Sequence, residues 1–306
     1  MLRSLLEESA AENAALTDDG WSRLVAAARR EARTHAVDDR GRPFLYQPYP
    51  PPDSEALVPG EWAARYVDQA ARYWDQFYLR NQLNAYKDRH YLGRQFDALR
   101  GFPSPPVVVE LGCGVGNAAF PLLEEGLASF VYAVDFSPRS IAMLKAHPKF
   151  DPARMRAAVG DITAGSLPPE LGPVQADVAT LIFVLGAISP DQMGSALRTV
   201  ATGLKPGGLL VFRDHAEGDL AQRRFEATGG KRLGRALYIR RDKTLSYYFS
   251  VDETEALFRE HGFEPVSVEC TERTVENRKE ALRMDRRFIS AVFRLAGPPA
   301  GQGAGV

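Results

Sequence analysis

A regular alternation of apolar runs and helical stretches after Pro106 constrains the fold of this chain more than any other feature. The apolar runs are VVVELG (107–112), FVYAVD (130–135), MRAAVG (155–160), ADVATLIF (176–183) and LLVFRD (209–214). Strands that are apolar along their whole length are buried on both faces, and crossover helices between such strands make them parallel. The pattern therefore predicts an α/β fold with a doubly wound, mostly parallel sheet.

The sequence beyond strand five completes this sheet and adds an insertion. The segments PVSVECTERTV (265–275) and RRFISAVFRL (286–295) bring the predicted sheet to seven strands. The stretch ALYIRRDKTLSYYFS (236–250) alternates around a polar RDKT and predicts a hairpin inserted after strand five. Before strand five, LKPGG (204–208) predicts a helix end followed by a turn, with Lys205 placed to favour the helix C-terminus.

The region before Pro106 predicts helices and a proline-rich arm. Residues 42–60 are rich in proline, whose fixed φ and missing N–H oppose regular elements, so they are typical of a linker or wrapping arm. Aromatic residues at near-helical spacing predict one amphipathic helix from Trp62 to about Arg80. The expected organisation is an N-terminal helix and arm (1–60), a helical lid segment (61–105), the α/β domain (106–296) and a disordered tail (297–306).

Composition excludes several classes of protein. Hydrophobic residues make up 45% of the 306 residues, which suits a folded globular chain. The sequence has no apolar run of about 18 residues, the length that indicates a membrane-spanning helix, and no secretory signal core. Cys113 and Cys270 lie far apart, with no partner at metal-ligand spacing. We expect a soluble protein of the cytoplasm, or also of the nucleus, with no metal site.

The sharpest local motif is the glycine-rich loop in VVVELGCGVGNAAF. A strand runs into Gly112, Gly114 and Gly116, and a helix follows. Glycines at such a turn let the backbone approach a ligand closely and leave helix N-terminal amides facing it. Dinucleotide-binding enzymes use a similar device, so the loop alone does not identify the ligand.

Three acids around the loop narrow the choice of ligand. Glu110 precedes the first glycine, Asp135 ends the second strand 19 residues after Gly116, and Asp161 directly follows the third strand. Asp135 can accept hydrogen bonds from both ribose hydroxyls, and Asp161 can reach an adenine amino group. Nearby acids favour a cationic sulfonium and repel a pyrophosphate. The set therefore indicates the S-adenosylmethionine site of a class I methyltransferase, although each aspartate alone would also suit a helix N-cap.

Longer motifs add a family resemblance. They are YWDQFYLRN, YKDRHYLGRQF, ELGCGVGNAAFPLL, VYAVDFSPRSI, LIFVLGAISPDQM, LKPGGLLVFRDHAEGDLAQRRF and YIRRDKTLSYYF. Between about Tyr73 and Leu295 the chain resembles the tRNA 3-methylcytidine methyltransferases of the methyltransferase-like group. The Lys-Asp-Arg-His element before the glycine loop and the Phe-Arg-Asp element ending strand five are not general methyltransferase features. The chain departs from its relatives at Gly186, where serine is usual, and at Tyr91, where tryptophan is common.

The resemblance implies a Rossmann-like class I methyltransferase that transfers a methyl group from S-adenosylmethionine to N3 of a cytidine in the tRNA anticodon loop, at position 32. It also implies the residues that hold the cofactor. They are Lys87 and Arg89 closing over it, Gly112 and Gly114 at its methionine end, Asp135 at the ribose, Asp161 with Ile162 around the adenine, and Ile182 beside it. A partner protein such as an aminoacyl-tRNA synthetase is implied for some relatives.

The chemistry of this step predicts few catalytic residues. Cytosine N3 has a free lone pair, so the reaction needs position and desolvation and no obligatory general base. The product ring is cationic, and a nearby carboxylate would stabilise the developing charge. Asp214 is the candidate, with Arg213 orienting the base or a phosphate. An Arg-Asp pair that braces a strand end is an equally good interpretation of these residues.

Contacts to RNA are expected from two basic stretches in a chain whose net charge is only −1. Such stretches are usually solvated faces, but N3 lies on the pairing edge, so the base must be unpaired or flipped and the RNA backbone must be held. The candidate residues are Arg223, Arg224, Arg240, Arg241, Arg283, Arg286 and Arg287. Tyr247, Tyr248 and Phe249 could stack on bases, but packing inside the hairpin is the better expectation.

Two other functions fit the same features. A class I methyltransferase could act on a protein or a small molecule, and a non-catalytic RNA-binding adaptor could retain the fold. The complete set of glycines and acids speaks against the adaptor.

Overall fold

The computed structural model describes residues 45–46, 57–84, 86–277 and 282–296. Most of the predicted N-terminal helix and arm, and the predicted tail from 297 to 306, lie outside the described residues. Within the proline-rich stretch, the backbone of Leu45–Tyr46 forms a two-residue strand that pairs in parallel with a strand near the chain end.

The described strands form one large sheet and one small hairpin sheet. The strands are β1 (Leu45–Tyr46), β2 (Val107–Leu111), β3 (Phe130–Asp135), β4 (Met155–Val159), β5 (Ala176–Ile182), β6 (Leu204–His215), β7 (Leu237–Ile239), β8 (Leu245–Tyr247), β9 (Phe263–Asn277) and β10 (Leu282–Leu295). The large sheet has the order β1-β10-β6-β5-β2-β3-β4, with β9 paired to β10. Strands β2 to β6 run parallel, whereas β10 is antiparallel to β6 and β9. The predicted seven-stranded, mostly parallel sheet is confirmed, and β1 extends it.

The described α-helices follow the predicted alternation. They are α1 (Gly60–Asp68), α2 (Ala70–Asn81), α3 (Leu92–Gln95), α4 (Ala119–Glu124), α5 (Pro138–Ala146), α6 (Pro190–Gly203), α7 (Leu220–Thr228) and α8 (Val251–Glu260). Central strands are buried on both faces between these helices: Val108, Val109 and Leu111 of β2 have no exposed surface. None of the helices in the described ranges has the length and apolar character to cross a membrane.

The single helix expected between Trp62 and Arg80 is divided in two. Gln69 leaves helical geometry (φ −99°, ψ 12°) between α1 and α2. Its side chain accepts a hydrogen bond from the hydroxyl of Tyr73 at 3.2 Å, which stabilises the break. Only α2 buries side chains, those of Tyr73 and Tyr78, so the two helices pack differently. Aromatic periodicity could not show this, because it continues through the break.

Two local expectations around β6 and the hairpin have different outcomes. The hairpin is confirmed, with Leu237 opposite Tyr247 and Lys243 in the left-handed region (φ 66°) at its turn. The LKPGG segment is already part of β6. Its Lys205 lies 2.6 Å from the carboxylate of Asp177 on β5, so the lysine links two strands and does not cap the helix.

Candidate active site

A cavity of about 400 Å³ opens at the carboxyl ends of the parallel strands. The glycine loop after β2, the ends of β3, β4 and β5, the α1–α2 region and the segment before α3 enclose it. Among the predicted cofactor residues, those that line it are Arg89, Glu110, Gly112, Gly114, Asp135, Asp161, Ile162 and Ile182. Lys87 is exposed and lies outside this lining, so its role stays a prediction.

The glycine loop needs glycines because other chain segments press against it. Gly112 and Gly114 have φ of 72° and 55°, the left-handed region that other residues rarely adopt. A Cβ on Gly112 would lie 2.4 Å from a methyl of Val184, and one on Gly114 would lie 2.5 Å from the hydroxyl of Tyr78. The loop is therefore enclosed by the turn after β5 on one side and by helix α2 on the other.

Asp135 holds this loop in place at the end of β3. One oxygen accepts a hydrogen bond from the backbone N–H of Gly114 at 2.8 Å, and the other accepts from that of Ser137 at 2.9 Å. Burial raises the pKa of Asp135, and these two hydrogen bonds oppose the rise. The carboxylate thus shapes the loop and also borders the cavity.

Glu110 is the most unusual acid of the site. It is buried, and its Oε2 has no hydrogen-bond partner among the described residues. Burial raises its pKa to about 8, although the charge of Arg89 lowers it in part. A buried carboxyl oxygen without a partner, facing a cavity, is suited to a ligand that brings a positive charge or a donor.

Asp161, Ile162 and Ile182 form the other end of the cavity. The Oδ1 of Asp161 accepts hydrogen bonds from the backbone N–H and the hydroxyl of Thr163, both at 2.8 Å. The N-cap interpretation of this aspartate is therefore correct for Oδ1. Ile162 and Ile182 are buried beside it and supply an apolar wall, which suits a flat ring such as adenine.

The segment before α3 closes over the glycine loop mainly as irregular backbone. Asn117 lies in the turn just before α4. It donates to the carbonyl of Tyr86 (3.2 Å) and to the carboxylate of Asp88 (3.0 Å), and its carbonyl accepts from the N–H of Arg89 (2.7 Å). His90 pairs with Glu125 at 2.8 Å. These contacts fix the backbone of the segment that carries Arg89, a residue of the cavity lining.

Helix α2 carries site residues that the sequence analysis missed. Trp74 and Tyr78 line the cavity and lie four positions apart, so they share one helix face. That spacing was visible, but the aromatic stripe is also typical of core packing. Asp75 fastens the same helix to the start of α5, because it accepts a hydrogen bond from the hydroxyl of Ser137 (2.8 Å) and pairs with Arg139 (3.4 Å).

Replacing Asp75 by alanine is expected to loosen this cover. We expect the dissociation constant of the predicted cofactor, S-adenosylmethionine, to rise about three- to tenfold, since one hydrogen bond and one partly exposed ion pair are lost. Stopped-flow dissociation and calorimetry would measure the change. Glu264→Ala is the control, because Glu264 is an exposed acid outside the cavity lining. An equal rise of the dissociation constant in both variants would show that the contacts of Asp75 do not specifically support cofactor binding.

The predicted catalytic pair lies beside the cavity and does not line it. Asp214 is buried, and its two oxygens accept backbone hydrogen bonds from Gly186 and His215, both at 2.8 Å. Burial raises its pKa to about 7. The guanidinium of Arg213 contacts the hydroxyl of Ser290 and lies 4.6 Å from the ring centroid of Phe288. These are bracing contacts, and a catalytic role for the pair stays a prediction.

The basic residues expected to meet RNA are in part held by neighbouring acids. Arg286 lies 2.8 Å from the buried Asp219 and Arg287 lies 3.1 Å from Glu272. Arg241 is exposed at the hairpin turn and Arg240 is half-buried there. Arg223 donates to the carbonyl of Gly218 at 3.2 Å, and burial lowers the pKa of Arg224. The side chain of Arg283 lies outside the described residues.

No group of three or more histidine, cysteine or acidic side chains within the described ranges could hold a metal ion.

Comparison with known proteins agrees with this geometry. A family model described as a methyltransferase domain matches residues 83–268. The chain is 39% identical over 236 residues to the tRNA N(3)-methylcytidine methyltransferase trm141 of Schizosaccharomyces pombe, covering 76% of this chain and 95% of that protein. It is 42% identical over 229 residues to the Homo sapiens tRNA N(3)-cytidine methyltransferase METTL6, covering 74% and 80%. The crystal structure of a SAM-dependent methyltransferase from Anabaena variabilis shares the fold, with a TM-score of 0.54 and 12% identity over 74% of this chain and 94% of that one.

Proposed function

The chain belongs to the tRNA N(3)-cytidine methyltransferase family, and from that premise we propose that it transfers a methyl group from S-adenosylmethionine to N3 of a cytidine in tRNA. The target is a cytidine of the anticodon loop, at position 32. The observation that carries the proposal is the cavity in which Glu110, the glycine loop and Asp135 meet at the carboxyl ends of β2 and β3.

The residues of the cavity fit S-adenosylmethionine. The unpartnered Oε2 of Glu110 suits a positively charged group, and the glycine loop offers close approach to backbone amides. We assign Asp135, which lines the cavity, to the ribose hydroxyls, and Asp161 with the two isoleucines to the adenine ring. The bound cofactor supplies an electrophilic methyl group.

The chain itself contributes position and exclusion of water. Helix α2 and the segment of Arg89 cover the glycine loop, which keeps bulk water from the reacting atoms. Cytosine N3 needs no deprotonation, so we assign no residue as a general base. We assign Asp214 and Arg213 to positioning: Asp214 holds the turn after β5, and Arg213 braces β6 against β10.

The RNA requirement follows from the chemistry of the target. Because N3 lies on the pairing edge, an unpaired loop cytidine costs least to expose. The exposed Arg241 and the other arginines named above would hold backbone phosphates. An aminoacyl-tRNA synthetase partner and a cytoplasmic or nuclear location belong to the proposal.

The test combines purified protein, labelled S-adenosylmethionine and total tRNA, followed by nucleoside mass spectrometry. We expect label in 3-methylcytidine, and reverse transcription should stop at the modified position because the methyl group blocks base pairing. Cofactor binding without any tRNA product would favour a protein or small-molecule substrate. Calorimetry that detects no cofactor binding would favour a non-catalytic adaptor.

A further inference from the structure

Phe183, the residue directly after β5, has a backbone conformation that aromatic residues rarely adopt. Its φ is 61°, in the left-handed region, although it is not a glycine. For a bulky side chain this is a strained conformation, which persists only where the surroundings impose it and which is common at ligand-binding sites. The strained backbone therefore indicates that the side chain of Phe183 has a functional role.

The surroundings do impose this conformation. The N–H of Phe183 donates to the carbonyl of Arg213 on β6 at 2.7 Å. Three residues later, Gly186 donates its N–H to Asp214, which also accepts from the N–H of His215. The buried carboxyl thus fastens the turn after β5 to the end of β6, and the position of the phenylalanine ring is fixed in advance of binding.

The ring lies at the border between the cofactor cavity and an aromatic cluster. Phe183 lines the cavity. Its centroid is 5.1 Å from that of His215 and 5.6 Å from that of Phe288, which in turn lie 5.7 Å apart. The three rings support one another at the carboxyl edge of the sheet, and burial lowers the pKa of His215 to about 3, so the cluster is uncharged at neutral pH.

We propose that Phe183 is the platform on which the flipped cytidine stacks, and that its ring determines acceptance of the target base; the inference rests on the proposed function. The guanidinium of Arg89 lies 4.8 Å from the ring centroid, so a face of the ring already accepts a flat cation. Cytosine is flat, and its N3-methylated product is also cationic. An aromatic face therefore suits the substrate base, which stacks on it, and also the cationic product, whose positive charge it attracts.

This location also fits the path of the methyl group. In open α/β sheets, ligands bind outside the carboxyl ends of the strands at the switch point of strand order, here between β2 and β5. The glycine loop follows β2 and Phe183 follows β5, and Val184 touches Gly112 closely enough to exclude a Cβ there. A base on Phe183 would therefore lie next to the loop that holds the cofactor.

The test compares three substitutions in the tRNA methylation assay with saturating cofactor. Phe183→Leu keeps an apolar side chain but removes the aromatic face, and Phe183→Tyr keeps the face. We expect kcat/KM for tRNA to fall about 5- to 150-fold in the leucine variant, the loss of one base–aromatic stack, and to change less than about threefold in the tyrosine variant. Phe183→Gly adopts positive φ without strain, so it tests the same loss should the leucine variant fold poorly.

Calorimetry with S-adenosylhomocysteine separates this role from cofactor binding. Because Phe183 also lines the cavity, we expect the dissociation constant of S-adenosylhomocysteine to change in the leucine variant, but by a much smaller factor than kcat/KM for tRNA. A leucine variant as active as the wild type would overturn the inference, and so would a loss of activity matched by equally weaker cofactor binding. If the wild type binds cofactor but forms no 3-methylcytidine, the proposed function fails and the inference fails with it. An active wild type with an unaffected leucine variant removes the inference alone.

Discussion

Replacing Asp135 by asparagine is expected to weaken S-adenosylmethionine binding about 100-fold, the loss of one hydrogen bond to a charged group, while the protein stays folded. Both carboxylate oxygens accept hydrogen bonds from backbone N–H groups, those of Gly114 and Ser137. An amide has one acceptor oxygen, so its NH₂ group would face one of these donors and leave it unsatisfied at a cost of about 1–3 kcal/mol. The same change removes the negative charge that, in the proposed assignment, receives the ribose hydroxyls. Calorimetric titration with the cofactor would measure the loss.

Asp177→Asn is the matched control for this substitution. Asp177 also accepts a backbone hydrogen bond, from the N–H of Val107 at 2.8 Å. It lies near the N-terminal end of β5, away from the cavity at the carboxyl ends of the strands, and is not part of the cavity lining. We expect the control to lower the melting temperature without changing cofactor affinity. If the two variants weaken binding equally, Asp135 acts only through general stability, and its assignment to the ribose is wrong.

Cofactor affinity is expected to rise with pH between about 6 and 8, by up to about tenfold per pH unit, and to level off above that range. Burial raises the pKa of Glu110 to about 8, so this carboxyl is mostly neutral at pH 7 in the free protein. A cationic ligand beside its unpartnered Oε2 favours the ionised form, so binding releases a proton. Calorimetry in buffers of different ionisation enthalpy would count that proton.

Glu110→Gln isolates this contribution, because the other titratable groups remain. The variant should lose the rise of affinity between pH 6 and 8 and should release fewer protons. An unchanged slope would show that another group, such as Asp214 with its pKa raised to about 7, is responsible.

The same pKa shift predicts the pH dependence of stability. A carboxyl whose pKa is higher in the folded than in the unfolded protein stabilises the fold below its unfolded pKa, and this contribution is lost as pH rises through the folded pKa. For Glu110 the loss should run from about pH 4 to about pH 8. Without cofactor, the melting temperature of the wild type should therefore fall over this range relative to that of Glu110→Gln.

Local patterns were sufficient for the elements that depend on sequence neighbours. The parallel strands, the hairpin and the glycine loop followed from runs of apolar residues and from glycines at one turn. The break at Gln69 did not, because it depends on which side chains the two helices bury. The role of Lys205 also differed from the predicted one at a helix C-terminus, since its partner Asp177 lies on another strand.

The candidate site shows the same division. Glu110, Asp135 and Asp161 could be selected because strand ends with acids and glycines are local motifs, and the cavity brings all three together. The contribution of α2 through Asp75 and Tyr78 depends on contacts across about sixty and forty residues of chain, which no local pattern records. The bracing partners of Arg213 and Asp214 are likewise set by strand pairing.

The sequence by itself determined the class of fold, the cofactor loop and its acids, because periodicity and turn chemistry act between residues close in the chain. Tertiary structure decided which groups are buried and what they face. Burial moved the pKa of Glu110 into the neutral range, and pairing of β5 with β6 set Phe183 at the edge of the cavity. The first effect arises because Glu110 is removed from water, and the second because the backbone of Phe183 is fixed against a distant strand. Neither can be read from residues close in the chain.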